Sequence, residues 1–156
     1  MSRQMWIVVS CVAAAVALAA VVGSARAASG GAARLTVRSS EYGKAVFGPS
    51  GKVVYVFGAD RGSTSHCYGV CAAAWPPLLT KGAAPLAGPG ISASLVGTTK
   101  RTDGTLQVTY AGRPLYYYSA DKVGKIMCQH ANTNGGLWLV VKPSGQPNTA
   151  KAKMHM

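Results

Sequence analysis

The chain has 156 residues, with 16 Lys and Arg, four acids and three histidines, and a formal net charge of +12 at pH 7. That length suits one domain, and so few acids and histidines leave little material for acid–base catalysis. A basic balance of this kind in a cytoplasmic protein would point to nucleic acid. Here the basic residues are scattered, with no run longer than Lys100-Arg101, and the N-terminus argues for export, so nucleic acid is excluded as a partner.

Residues 5–22 are almost wholly apolar, with Arg3 before them and Ala25-Arg26-Ala27 after them. This is the order of a secretory signal, so residues 1–27 are expected to be a signal peptide cleaved after Ala27. Left uncleaved, the segment would be a membrane anchor. Cys11 loosely resembles a lipidation site, but most of the apolar stretch follows it, so it should leave with the signal. From Ala28 on, the chain keeps fourteen Lys and Arg against Glu41, Asp60, Asp103 and Asp121. A solvated basic surface follows, able to adhere loosely to anionic envelope polymers or lipid headgroups.

Residues 28–33 are small and Gly-rich, a flexible lead-in. Residues 34–40, RLTVRSS, alternate in the manner of a half-buried strand, and residues 44–47 form a second. Gly48-Pro49-Ser50-Gly51 is a turn by composition. Residues 52–57 are apolar on both faces and belong in the middle of a sheet. Asp60 can close the following turn by accepting backbone N–H groups two or three residues on. A short helical turn is expected near 67–75, stopped by Pro76-Pro77, and residues 81–92 read as a loop. Strands return at 95–100, 106–110 and 114–118, joined by Asp103-Gly104 and Ala111-Gly112 turns. Residues 137–141, LWLVV, form a last strand. Residues 146–156 lack apolar periodicity and are expected to be a disordered tail.

Much of this occurs twice. Residues 52–60, KVVYVFGAD, match residues 113–121, RPLYYYSAD, without a gap. Tyr55 falls on Tyr116, Phe57 on Tyr118, Asp60 on Asp121 and, further on, Cys67 on Cys128. The expected fold is therefore mostly β. One compact domain at 34–145 is built from two copies of a three-strand antiparallel meander, at about 34–78 and 95–141.

These motifs resemble a bacterial family of predicted lipoproteins known as the secreted repeat of unknown function, marked by a Tyr-x-aromatic-x-x-Asp motif. YVFGAD (Tyr55, Phe57, Asp60) and YYYSAD (Tyr116, Tyr118, Asp121) are its two copies, and CYGVCAAAWPPL looks like its cysteine and Trp-Pro-Pro segment. The resemblance covers nearly all of residues 44–145. It implies an exported, envelope-associated protein and names no reaction. The chain departs from the family in lacking a convincing lipid-attachment cysteine and in carrying Cys128 within Met127-Cys128-Gln129-His130.

Three cysteines survive cleavage into an oxidising compartment, so one intramolecular pair can form. Cys67–Cys71 is the leading pair if the turn loosens at Gly69, with Cys67–Cys128 and Cys71–Cys128 as alternatives. A sharper alternative is a metal site at Cys67, Cys71, Cys128 and His130, with copper ahead of zinc. The terminal Met154-His155-Met156 could bind copper weakly. Asp60 and Asp121 read as turn-closers, with a paired-carboxylate site as the alternative. The repeat aromatics read as core, with a stacking platform for sugars or quinone-like ligands as the alternative. No haem, phosphate-loop or metalloprotease motif occurs, and no catalytic residue is assigned. The leading expectation is a secreted, non-enzymatic envelope protein without a cofactor. A thiol-redox or copper-handling protein and a cell-wall or carbohydrate binder are the alternatives.

Overall fold

The computed structural model describes residues 32–151. The expected signal at 1–27, most of the lead-in and the final five residues lie outside the described residues. In chain order the elements are β1 (Arg34–Ser40), β2 (Gly43–Phe47), β3 (Tyr55–Phe57), α1 (Val70–Ala74), β4 (Leu79–Thr80), β5 (Leu86–Ala87), β6 (Val96–Lys100), β7 (Leu106–Tyr110), β8 (Arg113–Pro114), β9 (Ala131–Thr133) and β10 (Gly136–Val140). A 3-10 turn, Ala93–Leu95, precedes β6. The mostly-β expectation holds, and α1 is the expected short helical turn. It starts from Gly69, whose positive φ of 54° an L side chain would resist. Four short elements escaped the sequence: β4, β5, β9 and the 3-10 turn. Each is two or three residues long, too short to show a period. β5 lies inside the expected loop and pairs in parallel with β1.

Each copy has its hairpins where the turn residues put them. β1 pairs with β2 and β6 with β7, both antiparallel, and β7 turns at Ala111-Gly112 into β8. Both turn residues have positive φ, 50° and 71°, as a two-residue hairpin of the right twist requires. The repeat is not gapless throughout. The turn after β2 spans 48–52 and leaves Phe47 opposite Val53, five residues between them, whereas Thr109 and Pro114 are opposed with four between.

The copies meet at one antiparallel crossing. The Tyr55 N–H donates to the Tyr116 carbonyl at 2.8 Å, and the Tyr116 N–H donates to the Tyr55 carbonyl at 3.0 Å. Tyr55 also faces Val140, and Tyr116 faces Pro77. The row Val140–Tyr55–Tyr116–Pro77 is therefore symmetric about its centre. Its outer members show that the copies are interlocked. Leu78, at the end of the first copy, donates to Leu115 at 2.9 Å and accepts from Val108 at 2.8 Å. Val141, at the end of the second, donates to Val54 at 3.3 Å and accepts from Val46 at 2.9 Å. Each copy closes with a strand that completes the other copy's sheet.

Period-two alternation along these strands feeds two cores. Val54, Val56, Leu139 and Val141 enter an aliphatic cluster with Leu35, Val46, Leu78, Val108 and Leu115. Val53, Tyr55, Phe57, Trp138 and Val140 enter an aromatic one with Trp75 and Tyr116. β3 is thus covered on both faces, as its composition suggests.

The expectation of a disordered tail from 146 onward is corrected for residues 146–150. Gln129 donates to the carbonyls of Asn148 and Ala150 at 2.6 and 2.7 Å, and the Asn148 N–H reaches Val140 at 2.7 Å. The Asn148 amide donates to Tyr42 at 2.9 Å. Side-chain and backbone hydrogen bonds hold this segment, which is why apolar periodicity did not reveal it.

Interlocking has a direct consequence. Fragments 32–94 and 95–151, prepared separately, should each lack a cooperative thermal transition, and mixing them should restore one with native tryptophan fluorescence. A cooperative transition in either fragment alone would contradict the exchange of closing strands.

Candidate functional site

The duplicated motif assembles around the crossing. Tyr55 donates its hydroxyl to Asp121 Oδ2 at 2.7 Å, and Tyr116 donates to Asp60 Oδ2 at 2.8 Å. The tyrosine of each copy bonds the aspartate of the other. Burial raises both tyrosine hydroxyls above their ordinary value and keeps them protonated, as donors. The other oxygen of each aspartate closes its own loop: Asp60 Oδ1 accepts from the His66 N–H at 2.7 Å, Asp121 Oδ1 from Met127 at 2.9 Å. The turn-closing role holds, but the reach is six residues and not two or three. Arg61 pairs with Thr64 and Lys122 with Lys125, so each loop is a small hairpin that carries its far end back to the aspartate.

The aromatics form one symmetric array. Trp75 and Trp138 stack face to face, 4.0 Å apart and 2° from parallel. Phe57 lies on the outer face of Trp138 at 4.1 Å, and Tyr118 on that of Trp75 at 4.6 Å. Tyr55 and Tyr116 meet Trp75 and Trp138 edge-on, each at 5.2 Å. Offset stacks and T-shaped pairs are the favoured aromatic geometries. Five of the six rings are buried and Tyr118 is half-buried, so most of the faces that a sugar or quinone would need are used within the protein.

Cys67 and Cys71 are joined, with Cα atoms 5.2 Å apart, and Cys128 is free and half-buried. The Cys3His set expected as the alternative is therefore not assembled. Two of its sulfurs are spent in the disulfide, and among the described residues no group of three or more His, Cys, Asp or Glu could hold a metal. His130 serves the backbone: with a positive φ of 61° it donates its N–H to Trp138 at 3.0 Å. Burial raises the Cys128 thiol above its ordinary value, which keeps it in the less nucleophilic protonated form. Nor do the aspartates share one open site. Asp121 is 2% exposed, whereas Asp60 opens toward a groove of about 310 Å³ that Phe57 and Arg113 also line.

Sequence reasoning missed Arg101. Among the described lysines and arginines it alone is buried, at 4% exposure. It donates to Ser65 at 2.8 Å, to Gln107 at 2.7 Å and to the Cys67 carbonyl at 2.7 Å, and its guanidinium lies 4.2 Å over the Tyr68 ring. Asp103, in the same turn, stands 3.5 Å from its Nε. Ser65 shares a 2.7 Å hydrogen bond with Tyr116, so Arg101 is linked through two hydroxyls to Asp60. At the position equivalent to Ser65 the second copy has Ile126, and that break in the repeat was the available signal.

The disulfide closes a loop of five residues, for which chain entropy gives about 2 kcal/mol. Replacing Cys67 and Cys71 together by Ala should lower stability by that amount. Copper(I) or zinc should leave the wild-type melting temperature unchanged, whereas a stoichiometric rise would restore the metal reading. A second prediction concerns pH. Burial raises the Asp60 and Asp121 carboxyls above their ordinary value, against the hydrogen bonds they accept. A folded value above the unfolded one means that the folded state binds the proton more tightly. The cost of the ionised carboxylate is then full above the folded value and is relieved as pH falls toward the unfolded value of about 4. Wild type should therefore gain stability relative to Asp121→Asn between pH 7 and pH 4.5, read by denaturant unfolding; a relative loss would reverse the assigned sign.

No curated protein and no solved structure is significantly similar to the chain. A family model described as "Secreted repeat of unknown function" matches residues 36–79 and 97–142, one match to each structural copy. The family's description agrees with a place outside the cytoplasm. With more than half of its length matched, and with a reciprocal Tyr–Asp pair joining the two copies, the chain belongs to this secreted repeat family.

Proposed function

We propose that this is a non-enzymatic protein of the cell envelope that binds anionic surfaces electrostatically. The observation that carries the reading is the partition of charge. Asp60 and Asp121 accept from buried tyrosines and from backbone, and Asp103 accepts from Thr105 and faces Arg101. The described lysines and arginines other than Arg101 are exposed or half-exposed. Asp60 and Asp121 are thus engaged by buried groups, while the lysines and arginines other than Arg101 face solvent and outnumber the exposed Asp103 and half-exposed Glu41, an arrangement that draws polyanions and anionic headgroups over a Debye length.

The non-enzymatic part of the reading is supported by what the motif residues do. The tyrosines, aspartates and tryptophans that mark the family hold one another, and the tyrosine hydroxyls and the Cys128 thiol are shifted toward their unreactive protonated forms. Acid–base catalysis would favour groups poised near neutral pH and open to a substrate.

The chain from Ala28 onward should sediment with isolated cell envelopes at low salt and be released as salt approaches about 0.5 M, where screening shortens the reach of surface charge. A protein that stays in the supernatant at low salt would overturn the reading.

A further inference from the structure

The loop at 122–127, between Asp121 and Cys128, carries features that the fold does not ask of it. Val123 is 66% exposed and Met127 63%, while Ile126 between them is buried. Lys122 and Lys125 pair across the Val123-Gly124 tip, and both are exposed. Val123 leans over the neighbouring turn: its Cγ1 would be 3.3 Å from a Cβ on Gly51, and Arg38 Nη1 would be 3.7 Å from that same point. Lys52 follows Gly51 and reaches the Ser119 carbonyl at 3.4 Å. Val123 thus stands exposed beside four cations, Lys122, Lys125, Arg38 and Lys52, and Met127 is exposed at the far end of the same loop. The acid of the loop, Asp121, is buried and occupied by Tyr55 and Met127.

The first copy supplies an internal control. Its loop at 61–66 has the same construction, an Arg61–Thr64 pairing and a far end tied to Asp60. There Gly62 stands for Val123, Thr64 for Lys125 and His66 for Met127. The hairpin closes with small and polar residues, so its geometry explains neither the exposed apolar pair nor the second lysine.

We propose that the loop 122–127 is a docking finger for an anionic phospholipid bilayer. Headgroup charge attracts the four cations. Val123 and Met127 can then enter the boundary between headgroups and acyl chains, as the apolar sides of interfacial segments do. A hydrated wall polymer would satisfy the lysines equally but would gain nothing from Val123 and Met127. The inference deepens the envelope reading and rests on it.

The chain from Ala28 onward, which retains every described residue, is titrated with three partners. These are vesicles of phosphatidylglycerol mixed with phosphatidylcholine, vesicles of phosphatidylcholine alone, and a soluble anionic wall polymer. Binding is expected to the first vesicles and not to the second. It should weaken about fivefold for each lysine neutralised in Lys122→Gln and Lys125→Gln, and about tenfold in the double variant Val123→Ser/Met127→Ser. The altered side chains are exposed, so melting temperatures should match wild type. The finger is overturned if the serine variant binds the charged vesicles as wild type does, or if only the wall polymer binds. Binding to isolated envelopes without binding to vesicles removes the finger and leaves the envelope reading standing. Loss of both removes the reading beneath it.

Discussion

The crossing of Tyr55 and Tyr116 is the constraint on which the rest depends. Two backbone hydrogen bonds at one point set the two copies antiparallel, and four other features follow from that orientation. It places each tyrosine hydroxyl over the aspartate of the opposite copy. It brings Trp75 and Trp138 face to face. It aligns Pro77 and Val140 on the outer sides of the same row, so that each copy's last strand enters the other's sheet. It also fixes the two aspartate-closed loops, since Asp60 and Asp121 are held by the same tyrosines that make the crossing. The buried polar groups here are mutually satisfied, which makes such a network specify one arrangement.

Symmetry ends where the copies differ in side chains on a shared backbone. Ser65 admits Arg101 and a hydrogen-bonded path to Asp60; Ile126 closes the equivalent space with apolar packing. The first loop is small and polar at its tip, the second basic and apolar. Since Asp60 and Asp121 fix both loops in the same way, the substitutions changed what each loop presents and not how it folds. A duplicated scaffold of this kind can keep its centre and let its periphery acquire separate roles.

Much of this architecture was legible in the sequence because turn chemistry and alternation are local. Asp103-Gly104, Ala111-Gly112 and Gly48-Pro49-Ser50-Gly51 marked hairpins, and the Val-Tyr-Phe run marked a strand covered on both faces. The Cys67–Cys71 pair was favoured on spacing and on the freedom of Gly69. The exchange of closing strands was not legible, because Leu78 and Val141 look alike whichever copy they pair with. Nor was the buried Arg101, whose neighbours Lys100 and Asp103 are those of a surface turn and whose partners Ser65 and Cys67 lie far back in the chain. The metal set failed because it counted residues by type, whereas the fold commits two of its sulfurs to one bond. The tail at 146–150 was missed because amide side chains, not an apolar stripe, hold it.

Both copies should form one cooperative unit about the tyrosine crossing. Native-state hydrogen exchange of the Tyr55 and Tyr116 backbone amides tests it most directly. Both amides should exchange only through global unfolding, with equal protection that matches the stability measured by denaturant. Protection that differs between the two, or that falls well below the global value for either, would mean that the copies open separately and would contradict it.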